Sequence, residues 1–206
     1  NAMTVQIRSL ELKPVAVSED AVGALRAQIR GTVALDGEPG YEEARTVWNA
    51  MVDRKPGLVV RALGAADVCA AVNFARENGL LISIRSGGHQ IAGHSVAEGA
   101  VLLDLSLMKS VRVDASAKTA WVEPGATLGD VDKETAAYGL VLPTGINSTT
   151  GIAGLTLGGG FGWLSRKHRL TVDGVDRQAL DPSGADEVGE GDGDEVSMCR
   201  VSIRPL

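Results

Sequence analysis

The segment ISIRSGGHQIAGHS, residues 82–95, joins a β-branched run to two glycines and an imidazole. Arg85, Ser86, Gly87 and Gly88 lead into His89, and Gly93, His94 and Ser95 follow. Glycine lets a ligand approach main-chain N–H groups closely. Successive N–H groups form an anion-binding concavity that needs no cationic side chain. A second segment, TGINSTTGIAGLTLGGGFG at 144–162, repeats the pattern with Gly145, Gly151, Gly154, Gly158, Gly159, Gly160 and Gly162. Two such loops in one acidic chain imply a large, nucleotide-like ligand held by its diphosphate.

Other nucleotide sites match less well. A P-loop requires Lys-Ser or Lys-Thr after its last glycine, whereas Gly160 is followed by Phe161-Gly162-Trp163. Residues 154–160 do not open a long helix after a strand, as a dinucleotide fingerprint would. A packing role for these glycines, in tight turns and close strand contacts, is the bland alternative. His89 and His94 lie five apart, not the i, i+4 of a helical metal site, and no metal is expected. His94 reads as a loop residue near a diphosphate or simply as an exposed one.

The elements that must position these loops alternate from Trp48 onward. Residues 55–63, KPGLVVRAL, read as a strand after a Pro-Gly turn. Residues 66–79 read as a helix with Val68, Val72 and Ala75 on one face, ended by Gly79. Residues 80–86 read as a buried strand, which completes a βαβ unit. That unit delivers Gly87-Gly88-His89 at a strand's C-terminal end, where open α/β sheets bind ligands. The runs 99–106, 109–115 and 118–125 read as three strands, antiparallel neighbours of one another. Residues 127–139 read as a helix with a Thr127/Asp130 capping box. Residues 140–145 read as strand and turn, and WLSRKH at 163–168 as a short helix. Ahead of all this, residues 18–31 form an amphipathic helix with Ser18 as N-cap, Val22, Leu25 and Ile29 on one face, and Gly31 as its stop. Residues 37–40, GEPG, form a loop. The organisation is then a start at 1–3, a lead-in at 4–45, a principal domain at 46–175 and an acidic tail at 176–206.

The chain has 206 residues, 44% hydrophobic and 22% charged, with a net charge of −6. That balance fits a globular domain and argues against a nucleic-acid or anionic-membrane surface. Seven acids and no base occupy 181–195, which reads as solvated and partly disordered. Two cysteines, Cys69 and Cys199, make no disulfide framework or metal spacing, and a reducing cytoplasm is expected. Cys69 reads as a small buried hydrophobe. No apolar run approaches the roughly 18 residues of a membrane span. The start lacks a secretory pattern, and Asn1-Ala2 before Met3 reads as a tag scar.

Together, Arg85-Ser86-Gly87-Gly88-His89 and Gly93-His94-Ser95 resemble the flavin-attachment segment of FAD-linked oxidases with a PCMH-type FAD-binding domain. More narrowly, they resemble the berberine-bridge-enzyme-like group of the vanillyl-alcohol oxidase superfamily. The segment 143–162 resembles that family's second flavin loop. VEPGATLGDV at 122–131, with Pro124 and Gly125, resembles the stretch between the loops, and WLSRKHRLTVD at 163–173 the stretch after. Four segments in the right order cover roughly residues 45–175. The resemblance implies an α+β fold, the first lobe of a PCMH-type domain: a small βαβ subdomain plus a mostly antiparallel sheet with helices. It implies FAD as cofactor, cradled by these segments including Ile146, Asn147, Thr149 and Thr150. It implies a bond from the His89 ring to the 8α carbon of the flavin.

Some relatives add a cysteine bond in the second loop. The matching residue here is Asn147, so attachment through His89 alone is expected. Arg169 stands where the family more often has glycine, which puts the turn there in doubt. Relatives run to roughly twice this length, with a substrate domain and the usual catalytic bases in the part unmatched here. Tyr41 and Tyr138, the only tyrosines, match no catalytic motif. The expected function is the FAD-binding portion of an oxidoreductase that passes hydride from a small-molecule C–H or C–OH to flavin, with oxygen as acceptor. The alternatives are a flavin-binding remnant without turnover and, third, a reductase of the cell-wall-sugar type with non-covalent FAD. Sheet surface left uncovered by a short chain suggests self-association.

Overall fold

A computed structural model describes residues 4–176 and 198–205. The expectations for Asn1-Ala2 and for the acidic run 181–195 lie outside the described residues. The chain divides into two compact units, Asn1–Leu107 and Met108–Leu206.

The first unit opens with an antiparallel hairpin, β1 (Thr4–Arg8) and β2 (Pro14–Ser18). Ser18 then caps α1 (Glu19–Gln28), its hydroxyl accepting from the Ala21 N–H at 3.2 Å. Val22, Leu25 and Ile29 are buried as their spacing requires, each such side chain contributing about 1.5–3 kcal/mol. Next come β3 (Thr32–Ala34), α2 (Tyr41–Arg45) and β4 (Leu58–Arg61). They are followed by α3 (Ala65–Glu77), β5 (Ile82–Arg85) and β6 (Val101–Asp104). The sheet order is β3-β4-β6-β5, with β4, β6 and β5 parallel and β3 antiparallel at one edge. β4 and β6 occupy its centre, and their apolar runs are buried on both faces.

Four expectations change here. The run 99–106 does not join the strands that follow it. It forms β6 and pairs in parallel with β4 and β5. β5 is an edge strand, so Ile84 is 53% exposed where a buried strand was expected. The buried face of α3 is Asp67, Ala71, Phe74 and Ala75, which leaves Val72 outside. Cys69 is exposed for the same reason. Asp67 decides that orientation: its buried carboxylate accepts the N–H groups of Arg30, Gly31 and Leu63 at 2.9, 3.1 and 2.8 Å. A carboxylate so placed would cost several kcal/mol if left unpaired.

The second unit begins with the hairpin β7 (Val111–Asp114) and β8 (Thr119–Val122). Its alternation puts Val111, Val113, Ala120 and Val122 on the core and Arg112 and Trp121 on the opposite face. α4 (Leu128–Ala136) carries the expected capping box. The Thr127 hydroxyl accepts from the Asp130 N–H at 3.2 Å, and the Asp130 carboxylate accepts from the Thr127 N–H at 2.8 Å. Then follow β9 (Leu140–Val141), α5 (Ile152–Leu157), α6 (Ser165–His168) and a 3₁₀ turn at Thr171–Gly174. The chain end supplies β10 (Cys199–Ser202), antiparallel to β8, and β11 (Arg204–Pro205), antiparallel to β9. Val201 and Ile203 close the core over Leu128, Val131 and Leu142.

Candidate functional site

In the first unit, β5 ends at Arg85 and the chain turns into the glycine loop. The Arg85 guanidinium is anchored from below by Asp104, whose fully buried carboxylate accepts from Arg85 Nη1 at 2.9 Å. The same carboxylate accepts from Arg61 Nε at 3.1 Å and from the Ser106 N–H and hydroxyl at 3.1 and 3.0 Å. Arg61 continues outward to Glu43, two N–H groups at 3.0 Å on its two oxygens. Those bonds hold the Glu43 carboxyl below its ordinary range. Ser86 and Gly87 are half-buried and Gly88 is buried.

Gly88 takes φ +67°, a backbone shape that favours glycine. Its carbonyl accepts from the Trp48 N–H at 3.0 Å. The Trp48 indole stacks on the half-buried His89 imidazole, ring centroids 5.5 Å apart and planes within 20°. Beyond His89, the Ile91 carbonyl accepts from Asn49 Nδ2 at 2.9 Å, and the Gly93 carbonyl from Arg54 Nη1 at 2.7 Å. The His94 side chain is exposed, and its backbone N–H is taken by Gln90 Oε1 at 2.9 Å.

In the second unit, Pro124-Gly125 turns the chain out of β8, and the Gly125 N–H donates to the Met108 carbonyl at 2.8 Å. The loop 145–151 is stitched along one side to the start of α4. The Gly129 and Leu128 N–H groups donate to the Ser148 and Thr150 carbonyls, both at 2.9 Å, and Gly151 bridges Thr127. That leaves Ile146, Asn147, Ser148 and Thr149 exposed. The Asn147 amide oxygen shapes the turn by accepting from the Thr149 N–H at 3.1 Å and its hydroxyl at 2.9 Å. Gly154 and Gly158 are exposed, and a side chain at Gly154 would meet open space. Gly160 and Gly162 have packing reasons instead. A Cβ there would lie 2.4 Å from the Thr171 hydroxyl and 2.0 Å from the Thr144 carbonyl oxygen. Gly159 sits between them, half-buried, its carbonyl accepting the Val172 N–H at 3.0 Å.

Among the described residues, two buried polar atoms at the first loop, Arg85 Nε and Ser95 Oγ, have no hydrogen-bond partner. A buried donor left unmade costs about 1–3 kcal/mol, and more when charged. An anionic ligand that reached this loop would offer Arg85 Nε the partner it lacks. The residues therefore fit a cofactor that brings phosphate or carbonyl oxygens to the backbone.

The family described as FAD binding domain matches residues 56–184, more than half of the chain. This chain belongs to that family. It carries the PCMH-type FAD-binding domain of FAD-linked oxidoreductases, in the mixed α+β fold of their N-terminal region. (R)-6-Hydroxynicotine oxidase of Paenarthrobacter nicotinovorans is 37% identical over 147 residues, which is 71% of this chain and 32% of that protein. Berberine bridge enzyme-like 4 of Arabidopsis thaliana is 40% identical over 136 residues, 64% of this chain and 26% of that protein. The crystal structure of 6-hydroxy-D-nicotine oxidase from Arthrobacter nicotinovorans superposes with a TM-score of 0.76 at 32% identity, over 86% of this chain and 43% of that one. The chain thus spans about a third of the length of the curated relatives it matches.

Two residues of this FAD-binding domain escaped the sequence reading. Asp104 looked like the end of an apolar strand, yet it fixes Arg85. Trp48 stood at the border of the lead-in, yet it touches His89. Both act across long stretches of chain, and local pattern carries no signal for either.

Proposed function

We propose that this chain is the FAD-holding portion of an FAD-linked oxidoreductase and that His89 carries the cofactor through a covalent bond. The observation that supports this reading is His89 itself. It stands half-buried after a glycine turn, with Arg85 anchored on one side and an indole against its ring. Arg85, Ser86, Gly87, Gly88, Gly93, His94 and Ser95 would hold the cofactor in the first unit. Pro124, Gly125 and the segment from Gly145 to Gly162 would hold it in the second.

Bound FAD would supply the hydride acceptor for a small-molecule C–H or C–OH donor, with oxygen taking the electrons. Tethering would join a His89 ring nitrogen to the 8α carbon, with the imidazole N–H proton and one 8α hydrogen leaving. Dioxygen would take the two electrons and two protons as hydrogen peroxide. Asn147 leaves the second loop without a thiol, so one bond is expected.

A second reading is a flavin-binding module without turnover, in which Tyr41 takes no part in chemistry. Its side chain is fully buried, its hydroxyl donates to the Pro56 carbonyl at 2.8 Å, and burial pushes its pKa up to about 12. Such a group is no catalytic base.

Acid precipitation of the purified protein separates these readings, with flavin absorbance measured in pellet and supernatant beside a His89→Ala control. Flavin in the pellet that vanishes in the variant supports the tether. Flavin in the supernatant alone leaves binding without attachment. No flavin in either fraction after incubation with FAD overturns the assignment. Substrate-dependent reduction of a tethered flavin would decide against the module without turnover.

A further inference from the structure

We propose that Trp48 is a positioning residue for His89, its indole face setting the plane in which the imidazole presents a ring nitrogen to the flavin. The inference rests on the His89 attachment just proposed and adds to it a residue outside both glycine loops.

The geometry is that of a clamp. Residues 47–49 run past the loop and hold it on either side of His89. The Trp48 N–H binds the Gly88 carbonyl at 3.0 Å, one residue before, and Asn49 Nδ2 binds the Ile91 carbonyl at 2.9 Å, two residues after. Val47, buried in the core beneath, anchors the segment. Between these two ties the indole lies along the imidazole at 5.5 Å and 20°. Among the described residues, no hydrogen bond is seen at either ring nitrogen of His89. The stack is therefore the contact that orients the ring.

Burial does not explain the indole's place, because Trp48 is 67% exposed. A large apolar ring held in solvent against a single imidazole gains mainly from that pairing. The pairing also has a chemical consequence. The lone pair of a neutral imidazole lies in the ring plane. A ring free to turn about its χ2 torsion sweeps that lone pair through many directions, whereas a stacked ring confines it to one plane. Confining a nucleophile to a near-attack arrangement speeds bond formation without new contacts to the partner. Stacking engages the π face and leaves both nitrogens at the edge, so it constrains the nucleophile without occupying it.

The test uses the full chain and the variants Trp48→Leu and Trp48→Phe. One readout needs no flavin: the His89 ring C–H resonances, which the indole ring current displaces in the wild type. Leu should return them to ordinary positions, and Phe should keep part of the displacement. The second readout splits binding from attachment. FAD affinity before the bond forms is read by flavin fluorescence, and the rate of transfer into the acid-stable form is followed over time. The Leu variant should bind FAD within about twofold of wild type and attach it roughly tenfold more slowly or worse, with Phe recovering most of the rate. A Leu variant that attaches FAD at the wild-type rate overturns the inference, as does a folded Phe variant no faster than Leu. A wild type that binds FAD and never attaches it also overturns it. A wild type that takes up no FAD overturns the functional reading, and this inference with it.

Discussion

Asp104, fully buried at the end of β6, holds the Nη1 of Arg85 at 2.9 Å at the end of β5. The two strands run in parallel with Arg85 and Asp104 in register. The pairing therefore places a guanidinium at the mouth of the glycine loop through sheet geometry alone. Arg61, on β4, is drawn to the same carboxylate. One buried charge thus faces two cations, and removing it leaves Arg85 uncompensated while Arg61 keeps its pair with Glu43. Breaking a buried pair in this way typically costs about 3–5 kcal/mol. Asp104→Asn should lose roughly that amount in urea unfolding and should weaken FAD uptake. An Asn variant with an unchanged midpoint would show that the network carries no stability.

Arg169 follows α6 with φ +70° and ψ −167°, a region close to glycine-only. Strain of that kind is worth about 1–3 kcal/mol. The arginine stands where the resembling family more often has glycine. Arg169→Gly should therefore stabilise the chain, with a melting temperature higher by a few degrees. A lower melting temperature would mean that the arginine side chain contributes more than its backbone costs.

The capping box of α4 makes stability depend on acid. The Thr127 backbone N–H holds the Asp130 carboxyl below its ordinary value of 3.8; burial opposes it, and the Thr127 hydroxyl adds a smaller lowering. A depressed folded value means that the unfolded chain takes up the proton first as pH falls. The stabilisation is therefore fully present above pH about 4 and is lost as pH drops through the folded value. Asp130→Asn should flatten that part of the stability profile. Thr127→Ala should cost about 1 kcal/mol at neutral pH. An Asn variant with the same acid limb as wild type would place the titration elsewhere.

The parts of this fold that were legible in sequence are those set by neighbours a few residues apart. Ser18 with Ala21, and Thr127 with Asp130, are contacts within one helical turn, and residue type alone announces them. The sequence of β6 does carry a signal for its place in the parallel sheet. VLL at 101–103, ahead of Asp104, is apolar without alternation, which marks a strand buried on both faces, whereas VRVD and TAWV alternate as half-buried strands do. The glycine loops were readable because glycine at those positions reports close approach, though not of what: Thr171 and Thr144 account for Gly160 and Gly162 as fully as a ligand would. Trp48 and Asp104 could not be read, since sheet register and chain crossing bring them to the loop from far along the sequence.

Leu157, Phe161 and Trp163 are 84%, 76% and 86% exposed, three large apolar side chains within seven residues of the second unit. Ile146, in the same glycine-rich segment, is 70% exposed. Apolar surface of this kind gains about 25 cal/mol per Å² when removed from water, and contiguous patches of it mark contact surfaces. Self-association of this chain should follow, with a weight-average mass in sedimentation that rises with concentration. The double variant Leu157→Ser with Trp163→Ser should shift that rise to higher concentration while leaving the helix content unchanged, because neither side chain is part of the core. A wild type that sediments as a monomer across the whole range would show that these side chains meet no second copy. Dissociation by added FAD would place the same segment under the cofactor.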